Sequence, residues 1–325
     1  MKNYTVRLYQ KNDFELWNAF IEKAKNATFL FNRNFMEYHS DRFTDFSLVI
    51  EEGNKWVAIL PANVFENQVF SHQGLTYGGL VYEEKIKLAS VLQIFHSVLK
   101  FLENKKISKL QLKLLPGFYA NVSNEELNYA LFLAQAKLIR RDTNAVIDMQ
   151  RKFAIAKGRM EGVSKAKKHE LVLKEESNFE SFWKEILIPN LATNHQAKPV
   201  HSLEEIKDLH QKFPKNIRQF NVYHKDKIVA GTTIFETKNV AHAQYISGNS
   251  DKNVLGSVDF LYENLLKNVF KNKRYFDFGI SNENQGKQLN QGLSFWKESF
   301  GANIAVQDFY EVSTANYPLL ENVLI

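Results

Sequence analysis

A polar segment between Tyr275 and Gly301 holds residue types that could carry out chemistry. It reads YFDFGISNENQGKQLNQGLSFWKESFG, so a strand pattern ends at Phe278-Gly279 and polar residues lead into an amphipathic helix. Ligands of α/β proteins tend to bind beyond the carboxyl ends of strands, where loops and helix N-termini meet. The simpler alternative is that the glycines permit turns and the polar residues cap the helix. The candidates for contact with a substrate are Ser281, Asn290 and Lys297.

Two carboxylates of this segment are candidate catalytic groups. Asp277 stands between Phe276 and Phe278 in a strand expected to be buried, where an unpaired carboxylate is costly. It therefore either pairs with a basic group for structural reasons or serves as a base at the end of the sheet. Glu283 lies in the polar loop and is either a base or a cap of the following helix. Lys297 either reaches an anionic group or lies on a solvated helix face.

Histidines and tyrosines near strand ends form a second set of candidates. His242 begins the strand AHAQYI, in which Gln244 could contact substrate and Tyr245 could donate to an oxyanion or act as an acid. Their alternative is an ordinary structural role: a histidine bonded at a strand edge and a tyrosine in the core. No H-E-x-x-H motif and no cysteine occurs, so no metal site is predicted. Further candidates for substrate contact, with the same alternative, are His72, Tyr77, His195 and His201.

The elements that would position these residues occur twice along the chain. In the first half a strand near 76–81 precedes a long helix near 85–103 and the strand KLQLK. In the second half the strand containing His242 precedes a helix near 254–270 and the strand YFDFG. Hairpin-linked strands are expected to pair antiparallel, and the strand–helix–strand crossovers parallel and right-handed.

Length and composition agree with two folded domains. The chain has 325 residues, which exceeds the usual size of a single core, and it is 44% hydrophobic and 24% charged. A disordered chain is excluded, and the absence of cysteine excludes disulfides and thiol chemistry. The sequence predicts an N-terminal domain over 1–150 and a C-terminal domain over 151–325, and the catalytic cleft is expected in the latter.

Charge and hydropathy bear on location and partners. No apolar run is long enough to cross a membrane and the first residues lack a signal peptide, so a cytoplasmic protein is expected. The net charge of +6 is compatible with an anionic small molecule or with nucleic acid. Basic residues between 157 and 169 form either a solvated helix face or an electrostatic collar for an anionic donor.

The closing motif resembles that of a known family. The pattern YFDFG-x-S-x-E-x-x-G-x-x-LN-x-GL-x-x-x-K-x-x-FG, with HAQYISGNSD before it, is similar to the FemAB-like acyltransferases of the GNAT superfamily. SHQGLTYGGL and FLFNRNFMEYHSDRFTDFSL resemble the first domain of a GNAT-type group common in bacteria. The resemblance implies a fold of two tandem GNAT-like domains, each an α/β (α+β) unit with a mixed, mostly antiparallel sheet flanked by helices.

The same resemblance implies an activity, the transfer of an acetyl, acyl or aminoacyl group to a small-molecule amine. The amine attacks the activated carbonyl directly, without a covalent enzyme intermediate, so no tightly bound cofactor is needed. Acyl-CoA is the expected donor, and aminoacyl-tRNA, as in the peptidoglycan branch, is the alternative. The family's pyrophosphate turn, Q/R-x-x-G-x-G/A, is matched weakly by Lys252, Asn253, Gly256 and Ser257.

Two other classes of function stay open at this point. The weak pyrophosphate turn is compatible with a catalytically degenerate acyltransferase fold that only binds a ligand. The basic balance is compatible with nucleic-acid binding without catalysis, which would depend strongly on salt.

Overall fold

The computed structural model describes residues 3–325, except the side chains of Asn194 and His195. The strands, in chain order, are β1 Tyr4–Leu8, β2 Thr44–Asp45, β3 Leu48–Glu52, β4 Lys55–Leu60, β5 Asn63–Phe65, β6 Gln68–Phe70, β7 Val81–Tyr82, β8 Lys109–Lys113, β9 Lys137–Asp148, β10 Val172–Glu176, β11 Ile217–His224, β12 Lys227–Glu236, β13 Val240–Gly248, β14 Tyr275–Ile280, β15 Asn282–Glu283, β16 Gln288–Leu289 and β17 Asn303–Ser313.

The α-helices are α1 Phe14–Lys23, α2 Arg33–Met36, α3 Leu88–Asn104, α4 Glu126–Leu133, α5 Lys157–Lys168, α6 Ile188–His195, α7 Leu203–Lys212, α8 Lys252–Leu255, α9 Ser257–Asn264 and α10 Gln291–Glu298. Two π-helical segments, Phe182–Leu187 and Leu265–Val269, adjoin α6 and α9 respectively. No helix in the described part of the chain is long and apolar enough to cross a membrane.

The chain forms two compact units. Unit 1 comprises 1–142, 285–287 and 306–325, and unit 2 comprises 143–284 and 288–305. The predicted division at residue 150 differs from these bounds mainly at the C-terminus, where the last twenty residues belong to unit 1. The physical reason is pairing and burial: the second half of β17 pairs antiparallel with β8, and Leu320 is buried in the core of unit 1.

Unit 1 is built around helix α3. Its apolar residues recur at helical spacing, and Val91, Phe95, Val98 and Leu102 are all fully buried. Each such side chain contributes about 1.5–3 kcal/mol on burial. The helix belongs to one hydrophobic core with residues of an antiparallel sheet in the order β1-β3-β4-β7 and with residues of β6 and β8, which pair in parallel.

One predicted strand of unit 1 is wrong. The segment near 76–81 is irregular apart from one parallel bridge between Gly78 and Leu114, β7 begins only at Val81, and the strand that pairs with β8 in parallel is β6, just before Ser71. Close packing explains this: a Cβ added at Gly78 would lie 1.5 Å from the carbonyl oxygen of Ser71. The Gly78 segment therefore folds back onto the end of β6, and His72 and Tyr77 lie outside any strand.

Unit 2 contains one sheet in the order β10-β11-β12-β13-β14-β9. All neighbouring pairs are antiparallel except β13 and β14, which are joined through α8 and α9 and pair in parallel, as predicted. Helix α9 and the π-helical segment after it bury Leu261, Tyr262 and Leu265 against Phe276 and Phe278 of β14. The predicted fold class, mixed and mostly antiparallel sheets with flanking helices, is confirmed.

Candidate active site

Strands β13 and β14 of unit 2 stop pairing at the residues expected to do chemistry. Their parallel register covers Val240 to His242 on β13 and Tyr275 to Asp277 on β14, and the last matched pair is His242 with Asp277. Strand β13 continues for six more residues beyond this pair. The two side chains are thus placed where a pair of parallel strands parts, the kind of position at which sheet proteins bind ligands.

His242 and Asp277 form a hydrogen-bonded pair. His242 Nδ1 lies 2.9 Å from Asp277 Oδ2, and the backbone N–H of Gly279 donates to Oδ1 at 2.7 Å. Asp277 is 1% exposed whereas the His242 side chain is 12% exposed. The buried carboxylate accepts the Nδ1 proton, which leaves Nε2 of a neutral His242 as the atom able to take up a proton.

Gly279 shapes this pair through its backbone. Its φ of +73° is unfavourable for other residues, and the register of β14 with β9 shifts between Asp277 and Ile280. A Cβ on Gly279 would lie 3.2 Å from Cε1 of His242. The sequence pattern does not reveal this role of Gly279, because a glycine after a strand also suits an ordinary turn.

A β-bulge brings Tyr245 to the same face of the sheet as His242. His242 pairs with Phe235 and Tyr245 pairs with Thr233, so Gln244 is the extra residue on β13. Phe235 and Thr233 are two residues apart and share one face, and their partners must therefore share it too. Without the bulge, residues 242 and 245 would point to opposite faces. The bulge also leaves Gln244 without a partner on β12.

The hydroxyl of Tyr245 is held by His201. It accepts the backbone N–H of His201 at 3.2 Å and lies 2.6 Å from His201 Nδ1. Burial raises the pKa of Tyr245 to about 12, so the phenol stays protonated at neutral pH and shares a hydrogen bond with His201 Nδ1. Trp183 packs edge-on against the Tyr245 ring at 5.1 Å, and its indole N–H has no hydrogen-bond partner among the described residues.

Lys297 anchors the end of β14 from inside the protein. It is 3% exposed, and its ammonium donates to the carbonyl oxygens of Gly279, at 3.0 Å, and of Ile280. Burial lowers the pKa of Lys297 to about 8, an effect that the nearby Asp277 carboxylate partly opposes. The solvated-face alternative for Lys297 is therefore wrong, and its contacts are to main-chain carbonyls.

This burial predicts a measurable dependence of stability on pH. Between about pH 8 and pH 10.5 the unfolded chain binds a proton at Lys297 that the folded chain has released, so stability rises with pH in this window. We expect the free energy of unfolding of the wild type, measured by urea denaturation relative to Lys297→Met, to increase over that range. Lys267→Met, at an exposed lysine of the same unit, is the matched control. Parallel pH curves for the wild type and Lys297→Met would contradict the prediction.

The polar loop after β14 is organised around the start of α10. Asn290 is the N-cap of this helix, since its side chain accepts the N–H of Leu293 at 3.0 Å, and it also donates to Glu283 Oε1 at 2.9 Å. Glu283 is exposed on the short β15–β16 hairpin. Ser281 is buried, and its hydroxyl has no hydrogen-bond partner in the part of the chain that the structure describes. Capping thus accounts for the contacts of Asn290 and Glu283, whereas the hydroxyl of Ser281 is left without a hydrogen bond among the described residues.

The four residues expected to bind the pyrophosphate of a cofactor lie against α5. Lys252 and Asn253 are exposed on α8, whereas Gly256 and Ser257 are buried. Gly256 has φ +67°, and the position of its missing Cβ is 2.0 Å from the carbonyl oxygen of Gly162. Helix α5 therefore packs directly against the Cα of Gly256. The contacts of Gly256 make it a packing glycine between α5 and the start of α9.

The remaining predicted residues are placed as follows. His72 and Tyr77 belong to unit 1, where Tyr77 donates to Thr28 Oγ1 at 3.0 Å and the His72 ring stacks on His39. His195 is the last residue of α6, and its side chain lies outside the described residues. Within the described residues no group of three or more His, Asp or Glu side chains could hold a metal ion.

Comparison with solved structures identifies the fold. FemX matches with a TM-score of 0.66 at 8% sequence identity, covering 98% of this chain and 99% of that one. The C-terminal domain of a putative lysylphosphatidylglycerol synthetase from Agrobacterium fabrum matches with a TM-score of 0.61 at 12% identity, covering 95% and 94%. L-PGS from Bacillus licheniformis matches with a TM-score of 0.59 at 11% identity, covering 93% and 91%.

Comparison of the sequence itself adds nothing to this result, since no family model and no curated protein matches the chain. The structural matches extend over almost the whole length of each protein. The resemblance to FemAB-like acyltransferases is thereby confirmed at the level of the fold: this chain folds as FemX does.

Proposed function

We propose that this protein is an N-acyltransferase whose chemistry takes place in unit 2, on the face of β13 and β14 that carries His242. The observation that supports this most strongly is the His242–Asp277 pair at the point where the two parallel strands part. The shared fold with FemX and with the lysylphosphatidylglycerol synthetase domain supports transfer chemistry of the same general kind.

His242 is proposed to act as the general base. An amine acceptor, protonated at neutral pH, gives a proton to Nε2 of His242 while Asp277 stabilises the imidazolium through Nδ1. The amine nitrogen then bonds to the acyl carbon, and the bond from that carbon to the sulfur or oxygen of the donor breaks. The leaving group departs with the electron pair and takes up the proton that the nitrogen loses as the amide forms, and the His242 imidazolium afterwards returns its own proton to solvent.

Developing negative charge on the carbonyl oxygen needs a hydrogen-bond donor. The backbone N–H of Gln244, the extra residue of the bulge and two residues from His242, is the proposed donor to this oxygen. Tyr245 is a weaker candidate for a donor to the oxyanion or the leaving group, because its hydroxyl is already hydrogen-bonded to the backbone N–H and to Nδ1 of His201. Asp277 has a positioning role, since it acts through the imidazole.

The donor is proposed to be an aminoacyl-tRNA rather than acyl-CoA. The predicted pyrophosphate turn keeps a single glycine of the CoA-binding pattern, Gly256, and lacks its basic first residue, so it offers little support for a CoA donor. Helix α5 instead presents four exposed lysines that could contact phosphates of a nucleic acid: Lys157, Lys165, Lys167 and Lys168.

A donor screen tests this proposal. We expect labelled amino acid to move from a charged tRNA to an amine acceptor, tested as free amino acids, amino sugars and aminolipids, at a rate that falls as salt rises. Turnover with acetyl-CoA alone would retain acyl transfer and overturn the choice of donor. Folded protein that gives no turnover with either class of donor would overturn the enzyme assignment.

A further inference from the structure

Unit 1 contains a cavity that the proposed chemistry of unit 2 does not use. Its volume is about 510 Å³, within the range of pockets that hold small molecules. Aromatic and apolar side chains, including Phe14, Met36 and Phe43, line part of the wall. The polar lining includes Arg33, Lys11 and His72. A cavity with an apolar wall and a few cationic or donor groups suits a small amphipathic anion.

Arg33 is the unusual member of this lining. It is 2% exposed, and its guanidinium carbon lies 3.4 Å from the centre of the Tyr9 ring and 4.5 Å from that of Trp17. These ring contacts orient the guanidinium plane. One nitrogen, Nη1, donates to Asp45 Oδ2 at 2.8 Å. A buried arginine held this firmly would ordinarily have all of its N–H groups bonded.

The other edge of the guanidinium has no such bonds. Neither Nε nor Nη2 of Arg33 has a hydrogen-bond partner among the described residues. These two atoms form the fork with which arginine holds a carboxylate or a phosphate through two parallel hydrogen bonds. Burying charged donors without partners is costly, so a buried, oriented and empty fork is the feature expected of an oxyanion site.

Two neighbouring groups add donors to the same cavity. The hydroxyl of Tyr9 is buried and also lacks a partner in the described part of the chain. His72 Nδ1 accepts the N–H of Gly74 at 3.2 Å, and burial lowers the pKa of His72 to about 3, so the ring is neutral and carries its proton on Nε2. Both groups can donate to an anion without adding charge.

The charges lining the cavity indicate what kind of anion fits. Arg33 and Lys11 are opposed by Glu37 and by Asp45, which is already bonded to Arg33 and to Ser47. This near balance favours a single negative charge over a multiply charged group. We propose that the cavity of unit 1 is a binding site for a small molecule whose carboxylate or phosphate group is held by the Nε–Nη2 edge of Arg33.

Ligand-observed NMR with simple probes tests this site in the full chain. Benzoate supplies a carboxylate on an apolar body, inorganic phosphate supplies the alternative oxyanion, and benzyl alcohol is the uncharged match to benzoate. We expect saturable binding of benzoate in the millimolar range and none of benzyl alcohol at about 20 mM. Binding of phosphate without benzoate would support the oxyanion site and identify a phosphorylated ligand. A wild type that binds neither anion would overturn the proposal.

Variants locate the binding. Arg33→Gln and Arg33→Lys, both of which lack the fork, should weaken anion binding at least about tenfold, whereas Arg42→Gln, at an exposed arginine of the same unit, should leave it unchanged. Lys11→Ala removes an exposed lysine at the cavity and tests the site even if the Arg33 variants do not fold. For this variant we expect the affinity for benzoate to fall about twofold to fivefold. If the Arg33 variants fold and bind benzoate as tightly as the wild type does, the proposed site is wrong. If the Arg33 variants do not fold, wild-type affinity for benzoate in Lys11→Ala would likewise overturn it.

Discussion

Replacing His242 with glutamine is expected to lower kcat by about a hundredfold to ten-thousandfold, because the variant cannot accept the proton of the attacking amine. The loss should appear with the donor and acceptor that give turnover in the screen, at unchanged far-UV circular dichroism. The matched control is His224→Gln, which makes the same change on β11 of the same unit. Turnover by His242→Gln within about threefold of the wild type would remove His242 as the base.

Asp277→Asn distinguishes a positioning carboxylate from a merely structural one. An asparagine can occupy the same space, but it offers no negative charge to the imidazolium that forms at His242. We expect turnover to fall and the acidic limb of the pH–rate profile to move to lower pH. A fall in turnover with an unchanged pH profile would mean that Asp277 only supports the fold.

The second large effect concerns stability. Gly256→Ala should lower the free energy of unfolding of unit 2 by about 2–5 kcal/mol, which combines overpacking with a side chain in the left-handed region. The clash is with backbone, since the added Cβ would lie 2.0 Å from the carbonyl oxygen of Gly162, so no side-chain rotation can relieve it. Urea denaturation followed by circular dichroism measures the change.

A glycine of α5 provides the control for this experiment. Gly158 has nothing within 4 Å of the position of a Cβ, so Gly158→Ala should leave stability unchanged or raise it by up to about 1 kcal/mol. If Gly256→Ala costs no more than about 1 kcal/mol, the strain of a positive φ alone accounts for it. That outcome would mean that α5 can shift to accommodate the added Cβ.

Much of the architecture follows from local pattern. The apolar spacing in α3 and the alternation in KLQLK and YFDFG identify the helix of the first parallel crossover and the last strand of each, and the parallel pairing of β13 with β14 was predicted from their connection. The prediction failed at 76–81, because the contact of Gly78 with Ser71 joins residues that no short-range periodicity relates. The return of the last twenty residues to unit 1 was missed for the same reason.

At the candidate site, too, local pattern predicted some features and long-range contacts decided the others. Polar residues next to apolar strand patterns made His242, Tyr245 and Asp277 candidates, since residue type and strand position are local properties. Which of them act together depends on register. The bulge at Gln244 turns Tyr245 to the face of His242, and the hydroxyl of Tyr245 is then taken by His201, forty-four residues earlier in the chain. A sequence pattern does not reveal a single inserted residue in a ladder.

The sequence by itself therefore determined the class of fold, the resemblance to FemAB-like acyltransferases and a list of groups able to move a proton. Only the tertiary structure decided that His242 is paired to Asp277, that Lys297 is buried beneath the end of β14, and that α5 packs against Gly256. The physical reason is that the chemical type of a residue and the periodicity of its neighbours are properties of a short stretch of sequence. Burial, pairing and steric exclusion arise between segments distant in the chain, and these relations set the acidity and the access of each group.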